Sequence, residues 1–302
     1  MQAFKKIVPD YFWYVLRKIK ILKTHKSVAN QMRVLVDFND NNLRPLLQSA
    51  ANINGTKKII WQYWAQGFEY HNLPELVRIC LASVDKYASD YTIIRLSDEN
   101  IADYIDFPEY IYEKRKHFSI AHFSDLLRVA LLSVYGGLWL DATILLTGPL
   151  PMYLSEKDFF MYQRSNEEPH KKYWERYSYA YYFGWYKGFR VNLLNSVIYA
   201  KSSSKVVTDL YMMLLHFWKT EKQVPDYFFF QILFDVYMEK HPERNCSIVS
   251  DCIPNLLQQV FNGYPYLSID EVLEKTKIHK LSYKNPNLLV KLKLLIQRHN
   301  LL

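Results

Sequence analysis

Strand-like and helix-like hydrophobic patterns alternate through the first half of the chain. Residues 57–64 are β-branched and aromatic, and they lie between Gly55 and Gly67, which predicts a buried strand. The elements predicted after it are a helix over 74–87, a strand over 91–96, a helix that starts after the N-capping residues 97–100, a helix over 119–135 and a strand over 138–140. Because strands and helices alternate, we expect an α/β fold with a mostly parallel central sheet flanked by helices.

The second half of the chain is less regular. Its predicted elements are strands over 159–163, 195–200 and 279–283, and helices over 202–220, 226–240 and 287–298. Residues 164–190 are rich in Tyr, Trp, Arg and Lys without a clear period, which predicts a loop or lid. The sequence shows neither an internal repeat nor a flexible linker. We therefore predict a helical N-terminal extension over 1–54, one catalytic domain over 55–285 and a C-terminal helix over 286–302.

The first 33 residues differ in composition from the rest. Their basic residues, set against Asp10 alone, are Lys5, Lys6, Arg17, Lys18, Lys20, Lys23, Lys26 and Arg33. Apolar residues recur at helical spacing, namely Ile7, Tyr11, Tyr14, Val15, Ile19 and Leu22. This pattern predicts a helix with an apolar stripe and a basic face. Two interpretations stay open: the helix lies on an anionic membrane surface, or it packs on the main domain with its basic face in solvent.

Charge and composition narrow the class of partner. The net charge of +8 favours polyanions, which include nucleotide phosphates, anionic membranes and nucleic acid. Nucleic acid is disfavoured because the basic residues concentrate at the N-terminus instead of forming a stripe over the core. Aromatic residues make up 16% of the chain, a surplus that serves sugar or base binding as well as core packing.

The sequence also suggests a location. Its longest uncharged stretches are too short or too interrupted to span a bilayer, and the first residues lack the apolar core of a secretory signal. The three cysteines, Cys80, Cys246 and Cys252, are an odd number, which is typical of reduced thiols. We therefore expect a cytoplasmic protein, peripherally associated with the inner face of the cell membrane.

The richest cluster of polar residues spans the helix 119–135 and the strand after it. Asp125 and Arg128 are three residues apart, so they share one helical face, and Asp141 follows the strand. Since ligands of open parallel sheets bind beyond the carboxyl ends of the strands, the three side chains converge on one crevice. Carboxylates suit ribose hydroxyls or a divalent metal, and arginine suits phosphate oxygens. This set fits a nucleoside diphosphate; the alternative is a surface ion pair beside an unrelated aspartate.

A family resemblance rests on this cluster. The run S-D-L-L-R-x-x-L-L-x-x-Y-G-G-L-W-L-D-A-T resembles the capsular polysaccharide synthesis family of bacterial glycosyltransferases, and more distantly the sugar transferases with a DXD motif. The upstream K-K-I-I-W-Q-Y-W is similar to the family's first strand. The resemblance covers roughly residues 57–285. It implies the GT-A fold, a nucleotide-binding α/β sandwich, and a nucleotide-sugar donor such as a UDP-sugar.

The resemblance also implies roles for individual residues. Asp125 would hold the ribose or donor sugar, Arg128 the donor sugar or phosphates, and Asp141 matches the first Asp of the DXD motif. The further candidates are Trp61 and Gln62 beside the base, Asn195 near the sugars, Asp226 as a second carboxylate, His279 as a metal ligand and Lys284 at the diphosphate. For Asn195 and Asp226 the alternative is a local turn or helix cap.

The segment departs from the DXD motif of the more distant sugar transferases at its second Asp, which is Thr143 here; the resemblance implies that D-A-T is the capsular family's own version of the motif. Because a neutral hydroxyl is a poor ligand for Mn²⁺ or Mg²⁺, we expect any such ion to bind weakly, with Asp141 and His279 as its protein ligands. The function expected from the resemblance is a retaining hexosyltransferase that extends a lipid-linked oligosaccharide for a bacterial surface polysaccharide. The alternatives are a sugar-phosphate transferase of capsule assembly and a non-catalytic scaffold that keeps the fold.

Overall fold

The structure is a computed structural model that describes residues 10–37, 53, 58–176, 181–202, 204–284 and 286–302. The helices are α1 (Asp10–Asp37), α2 (Glu75–Tyr87), α3 (Glu109–Arg115), α4 (Ile120–Val134), α5 (Lys171–Arg176), α6 (Lys205–Thr220), α7 (Phe229–Lys240), α8 (Leu256–Phe261), α9 (Ile269–Lys275) and α10 (Pro286–His299). The strands are β1 (Ile59–Tyr63), β2 (Thr92–Leu96), β3 (Gly137–Leu140), β4 (Ile144–Leu146), β5 (Phe159–Gln163), β6 (Leu193–Ala200) and β7 (Ile278–Lys280).

A five-stranded sheet forms the centre of the fold. Its strand order is β2-β1-β3-β6-β5; β1 pairs in parallel with β2 and β3, and β6 runs antiparallel to β3 and β5. The predicted α/β class with a mostly parallel sheet flanked by helices is confirmed. A second, two-stranded sheet pairs β4 with β7, and its first strand, β4, follows β3 after a short segment that begins with Asp141.

The long periodic elements agree with the sequence-based expectations, whereas several of the short elements were not predicted. The elements that the sequence did not predict are β4, α5, α8 and α9, each of seven residues or fewer. The helix expected after residues 97–100 does not begin there: a 3-10 turn covers Ile101–Asp103, and α3 starts only at Glu109. A three-residue strand such as β4 is too short to show a period. The predicted helix over 226–240 begins only at Phe229, and the predicted strand over 279–283 is Ile278–Lys280.

Helix α1 packs on the domain through one face. Its buried side chains are Ile21, His25, Val28, Ala29, Met32 and Leu35, and the apolar ones join the main core cluster beside α6 and α7. Tyr14, Val15 and Leu22 of the predicted apolar stripe are half-buried, whereas Ile19 is exposed. The packed interpretation therefore holds for much of that stripe. Ile7, the side chain of Tyr11, and the residues on both sides of the predicted boundary at 54/55 lie outside the described residues.

None of the helices in the described part of the chain combines the length and the hydropathy that a membrane-spanning segment needs.

Candidate active site

A cavity of about 810 Å³ opens at the carboxyl ends of β1 and β3. The start of the antiparallel strand β6 and the segment after β7 complete its walls. Six of the side chains singled out from the sequence line it: Asp125, Arg128, Asp141, Thr143, Asn195 and Lys284. The structure thus brings together residues that lie up to about 160 positions apart.

A glycine turn delivers Asp141 to this cavity. Gly136 and Gly137 follow the end of α4 with φ angles of +70° and +103°, which residues that carry a side chain rarely adopt. A Cβ on either glycine would also lie 2.7 Å from backbone, at Ser202 N and Ile59 O respectively. The indole N–H of Trp61 donates to the carbonyl oxygen of Gly136 at 2.9 Å. The turn therefore reverses the chain directly into β3, and Asp141 follows that strand.

Arg128 links the two carboxylates of the cluster. Its guanidinium lies 3.3 Å from Asp125 Oδ1 and 3.6 Å from Asp141 Oδ1. It also donates to Ser124 O at 3.0 Å, to Ser124 Oγ at 2.8 Å and to Asn195 O at 2.6 Å. All three nitrogens thus face protein acceptors, and the residue is only 4% exposed. The geometry makes Arg128 a residue that orients Asp125 and Asp141, and its contact with the donor stays a prediction.

The two carboxylates have opposite electrostatic environments. Burial raises the pKa of Asp125 to about 7, against the opposing charge of Arg128 and a 2.7 Å hydrogen bond from Asn195 Nδ2. Burial would raise the pKa of Asp141 as well, but the charges of Lys280 and Arg128 hold it well below its usual range. Asp141 is thus an anion at neutral pH, whereas Asp125 can carry a proton there.

Lys280 is the principal site residue that the sequence did not reveal. Its Nζ donates to Asp141 Oδ2 at 2.8 Å and to Thr143 Oγ1 at 2.7 Å. The pairing of β4 with β7 places Lys280 opposite Ile144, just after the D-A-T segment. Strand alternation was the available signal, because a buried His279 implies that Lys280 faces the other way.

His279 lies on the opposite face of β7, away from the cavity. It is fully buried, its Nε2 lies 2.9 Å from Thr147 Oγ1, and burial lowers the pKa of its imidazole to about 3. The structure therefore does not place His279 beside Asp141, and the expected pair of metal ligands is not formed.

Three further expectations need correction. Trp61 and Gln62 are fully buried and do not line the cavity: Trp61 holds the glycine turn, and Gln62 Oε1 accepts a hydrogen bond from Arg95 Nε at 3.2 Å. Asp226 is also absent from the cavity walls. Its carboxylate accepts from the backbone N–H of Phe228 at 2.8 Å in the turn that precedes α7, and Phe228, not Asp226, is the N-cap residue of that helix.

Aromatic side chains next to those expected ones line the cavity instead. Tyr63 and Trp64 are the following residues of the same W-Q-Y-W run, and both contribute to the wall. Trp64 packs edge-on against Tyr283, with 5.5 Å between ring centroids. Tyr227, the neighbour of Asp226, is 56% exposed on the wall. These rings offer apolar faces for a base or a sugar.

The donor set at the D-A-T segment does not fit a divalent metal. Within the described ranges, no group of three or more His, Cys, Asp or Glu side chains is placed to hold an ion. Asp141 Oδ1 accepts from Trp139 Nε1 at 2.8 Å, and Oδ2 accepts from Lys280. Thr143 is neutral and also engaged by Lys280. A divalent ion here would have a single carboxylate, already paired with two cations.

One wall of the cavity is held by Arg164. Its guanidinium forms a two-pronged ion pair with Asp251, at 2.8 and 2.9 Å, and both side chains are almost fully buried. It also donates to the backbone carbonyls of Tyr182, Gly184 and Val191. Asp251, Tyr182 and Val191 line the cavity. Arg164 thus fixes the segment 181–191 as part of the wall.

We expect Arg164→Met to lower the free energy of unfolding by about 3–5 kcal/mol, because it leaves the buried Asp251 without its cation. The double variant Arg164→Met/Asp251→Leu should recover much of this loss, since it removes both charges. Urea unfolding followed by circular dichroism measures both. Arg298→Ala, which removes an arginine from an exposed pair with Asp270, is the control and should change little. A loss below about 1 kcal/mol for Arg164→Met would show that the pair does not hold the wall.

The fold and the cavity define an α/β protein with a charged crevice at the carboxyl ends of its strands, the usual position for ligands in such folds. The sequence profile of the capsular polysaccharide synthesis protein family matches residues 10–295, and the chain belongs to that family. Membership assigns it to capsular polysaccharide synthesis. Among curated proteins, none matches the chain.

Proposed function

We propose that this protein is a glycosyltransferase with a GT-A type fold, which moves a sugar from a nucleotide-sugar donor, such as a UDP-sugar, to a lipid-linked saccharide acceptor. The observation that carries this proposal is the cluster of Asp125, Asp141 and Lys280 inside one cavity at the carboxyl ends of parallel strands. Membership of the capsular polysaccharide synthesis family supports it, because polymers of this kind are built by sugar transfer.

The size and lining of the cavity suit such a donor. A volume of about 810 Å³ lies within the range of ligand pockets for molecules of this size. Trp64 and Tyr283 supply an aromatic surface for the base, and Asp125 and Asn195 supply hydrogen-bonding groups for sugar hydroxyls. Lys280 and Lys284 supply positive charge for the diphosphate.

The proposed transfer proceeds with retention at the anomeric carbon. The bond from that carbon to the phosphate oxygen breaks, and its electron pair stays with the nucleoside diphosphate. The acceptor hydroxyl oxygen forms the new glycosidic bond, and its proton passes to a phosphate oxygen of the leaving group. The protein contributes mainly by positioning the two substrates and by stabilising negative charge on the diphosphate.

A thermal-shift panel tests this proposal, with UDP, GDP, CDP, ADP and the corresponding nucleotide sugars. A ligand present at a hundred times its Kd adds about 2.7 kcal/mol of stability, so a true donor raises Tm measurably. Mass spectrometry of an acceptor incubated with that donor then identifies the product. Absence of stabilisation by every compound would contradict the proposal.

The same assay separates the two alternatives. A sugar-phosphate transferase would leave phosphate on the product and release a nucleoside monophosphate. A non-catalytic scaffold would bind the nucleotide and form no product.

A lipid-linked acceptor requires access to a membrane, and we propose that the outward face of α1 provides it. Phe12, Trp13, Leu16 and Ile19 are each 39–49% exposed on this face. Helical spacing places Lys20, Lys23 and Lys26 on the same side in the following turns, and all three are exposed. Apolar side chains followed by lysines match an anionic bilayer, in which the rings enter the interface and the lysines meet the headgroups.

We expect the triple variant Lys20→Gln/Lys23→Gln/Lys26→Gln to bind phosphatidylglycerol vesicles about 100-fold more weakly than the wild type, since each lysine contributes about 1 kcal/mol. Sedimentation with sucrose-loaded vesicles measures this. The triple variant Lys157→Gln/Lys222→Gln/Lys275→Gln removes the same charge from other exposed positions and should bind like the wild type. If both triple variants lose the same affinity for the vesicles, binding depends on the net charge of the protein and not on the outward face of α1. Deletion of α1 is not a clean test, because Ile21 and Met32 belong to the core.

A further inference from the structure

Lys280 occupies the position between the two polar residues of the D-A-T segment. Its Nζ lies within hydrogen-bond distance of both Asp141 Oδ2 and Thr143 Oγ1, at 2.8 and 2.7 Å. The side chain is 25% exposed and lines the cavity. An ammonium group has three N–H donors, and these two acceptors use two of them. Within the described residues, the third is left for an oxygen of a bound ligand.

The surroundings of Lys280 hold its charge in place. The backbone N–H of the next residue, Leu281, donates to Thr143 O at 3.1 Å, so the two segments are joined on both sides of the lysine. Asp141 is itself oriented by Trp139 and Arg128. The ammonium is therefore positioned before any ligand arrives, as electrostatic stabilisation of a leaving group requires.

We propose that Lys280 is the resident cation of this site, and that its ammonium group binds the diphosphate of the nucleotide donor in place of a divalent metal. The inference rests on the proposed glycosyltransferase function. In the transfer step, Lys280 donates a hydrogen bond to the phosphate oxygen that receives the electron pair of the broken bond. The role of Lys280 is charge stabilisation and not acid catalysis.

The role of Asp141 follows from this assignment. A carboxylate that is paired with Lys280 and Arg128 is a poor ligand for a second cation, but it fixes the position of the ammonium. Thr143 then fits its place better than a carboxylate, because a second anion beside Lys280 would neutralise the charge that the diphosphate needs. On this assignment, Thr143 in place of the second Asp of the DXD motif is compatible with catalysis.

Isothermal titration with UDP and with UMP, each in EDTA and in excess Mn²⁺, tests the proposal on Lys280→Gln. If UDP is not the nucleotide bound, the diphosphate and monophosphate of the base found in the thermal-shift panel replace this pair. We expect Lys280→Gln to lose about 10- to 100-fold in affinity for the diphosphate, the size of one charge-assisted hydrogen bond, and much less for the monophosphate.

Lys280→Arg should recover part of the loss because it restores the positive charge. The control Lys275→Gln, at an exposed position near the end of α9, should bind like the wild type. Circular dichroism verifies that each variant is folded.

The wild type is expected to bind the diphosphate in EDTA with nearly the affinity that it shows in Mn²⁺. Two results would overturn the inference: wild-type affinity in Lys280→Gln, or wild-type binding that is lost in EDTA and restored by Mn²⁺. If sugar transfer is still observed alongside either result, only the proposed role of Lys280 is refuted, and the proposed glycosyltransferase function stands. If no nucleoside diphosphate binds the wild type, the proposed function itself fails.

Discussion

Asp141→Asn is expected to lower the rate of sugar transfer by about 10²- to 10³-fold while the fold stays intact. The substitution keeps the shape of the side chain and removes its charge. Lys280 then loses the anion that positions its ammonium, and Arg128 loses one of the two carboxylates that it orients. The loss should appear in kcat more than in the binding of the nucleotide, because the charge of the leaving group develops during the reaction.

Initial rates with saturating donor measure this effect, and circular dichroism verifies the fold. Asp158→Asn is a matched control, since Asp158 also pairs with a lysine but lies on the surface outside the cavity. That variant should retain wild-type turnover. Near wild-type turnover of Asp141→Asn would show that the Asp141 carboxylate has no part in sugar transfer.

Asp125→Asn is expected to increase stability at pH 8 and to impair transfer. The pKa of Asp125 rises from 3.8 to about 7 on folding, chiefly through burial. Between about pH 4 and pH 7 the folded protein therefore keeps a proton that the unfolded chain releases, so rising pH favours unfolding in this window. Asparagine carries no such proton, and the variant avoids this cost.

The gain in the free energy of unfolding should be roughly 2–4 kcal/mol at pH 8 and close to zero at pH 4. Urea unfolding at the two pH values measures it. Asp90→Asn is the control of opposite sign, because the pKa of Asp90 is lowered by its hydrogen bond with Lys58, and it should gain nothing at either pH. Transfer by Asp125→Asn should fall about 10- to 100-fold if the carboxylate binds a sugar hydroxyl. Equal stability of Asp125→Asn and the wild type at pH 8 would show that burial does not strain Asp125.

The N-terminal helix α1 shows what hydrophobic periodicity cannot predict, namely which surface each face of a helix contacts. The sequence identified an amphipathic basic helix and left two uses for it open. The structure shows that a single helix presents two apolar faces, one packed at Ile21 and Met32 and the other exposed at Phe12 and Leu16. Periodicity alone cannot assign these faces, because it records that an apolar side exists and not what covers it.

The candidate residues near the first strand show a similar limit. The W-Q-Y-W run was correctly placed on a buried strand, but Trp61 and Gln62 were expected at the ligand. The residues at the very end of the strand, Tyr63 and Trp64, reach the cavity instead. Since β1 is buried along its length, only its carboxyl end borders the crevice.

Patterns in the amino-acid sequence were enough to predict the α/β class, the order of the main elements and the convergence of Asp125, Arg128 and Asp141 on one cavity. Each of these follows from spacing within a continuous segment, which the periods of helix and strand and the Gly136-Gly137 turn control. The contact of Lys280, and not His279, with Asp141 could be found only in the folded chain, because it joins residues 139 positions apart. It depends on the pairing of β4 with β7, which sets the face that each side chain of β7 presents.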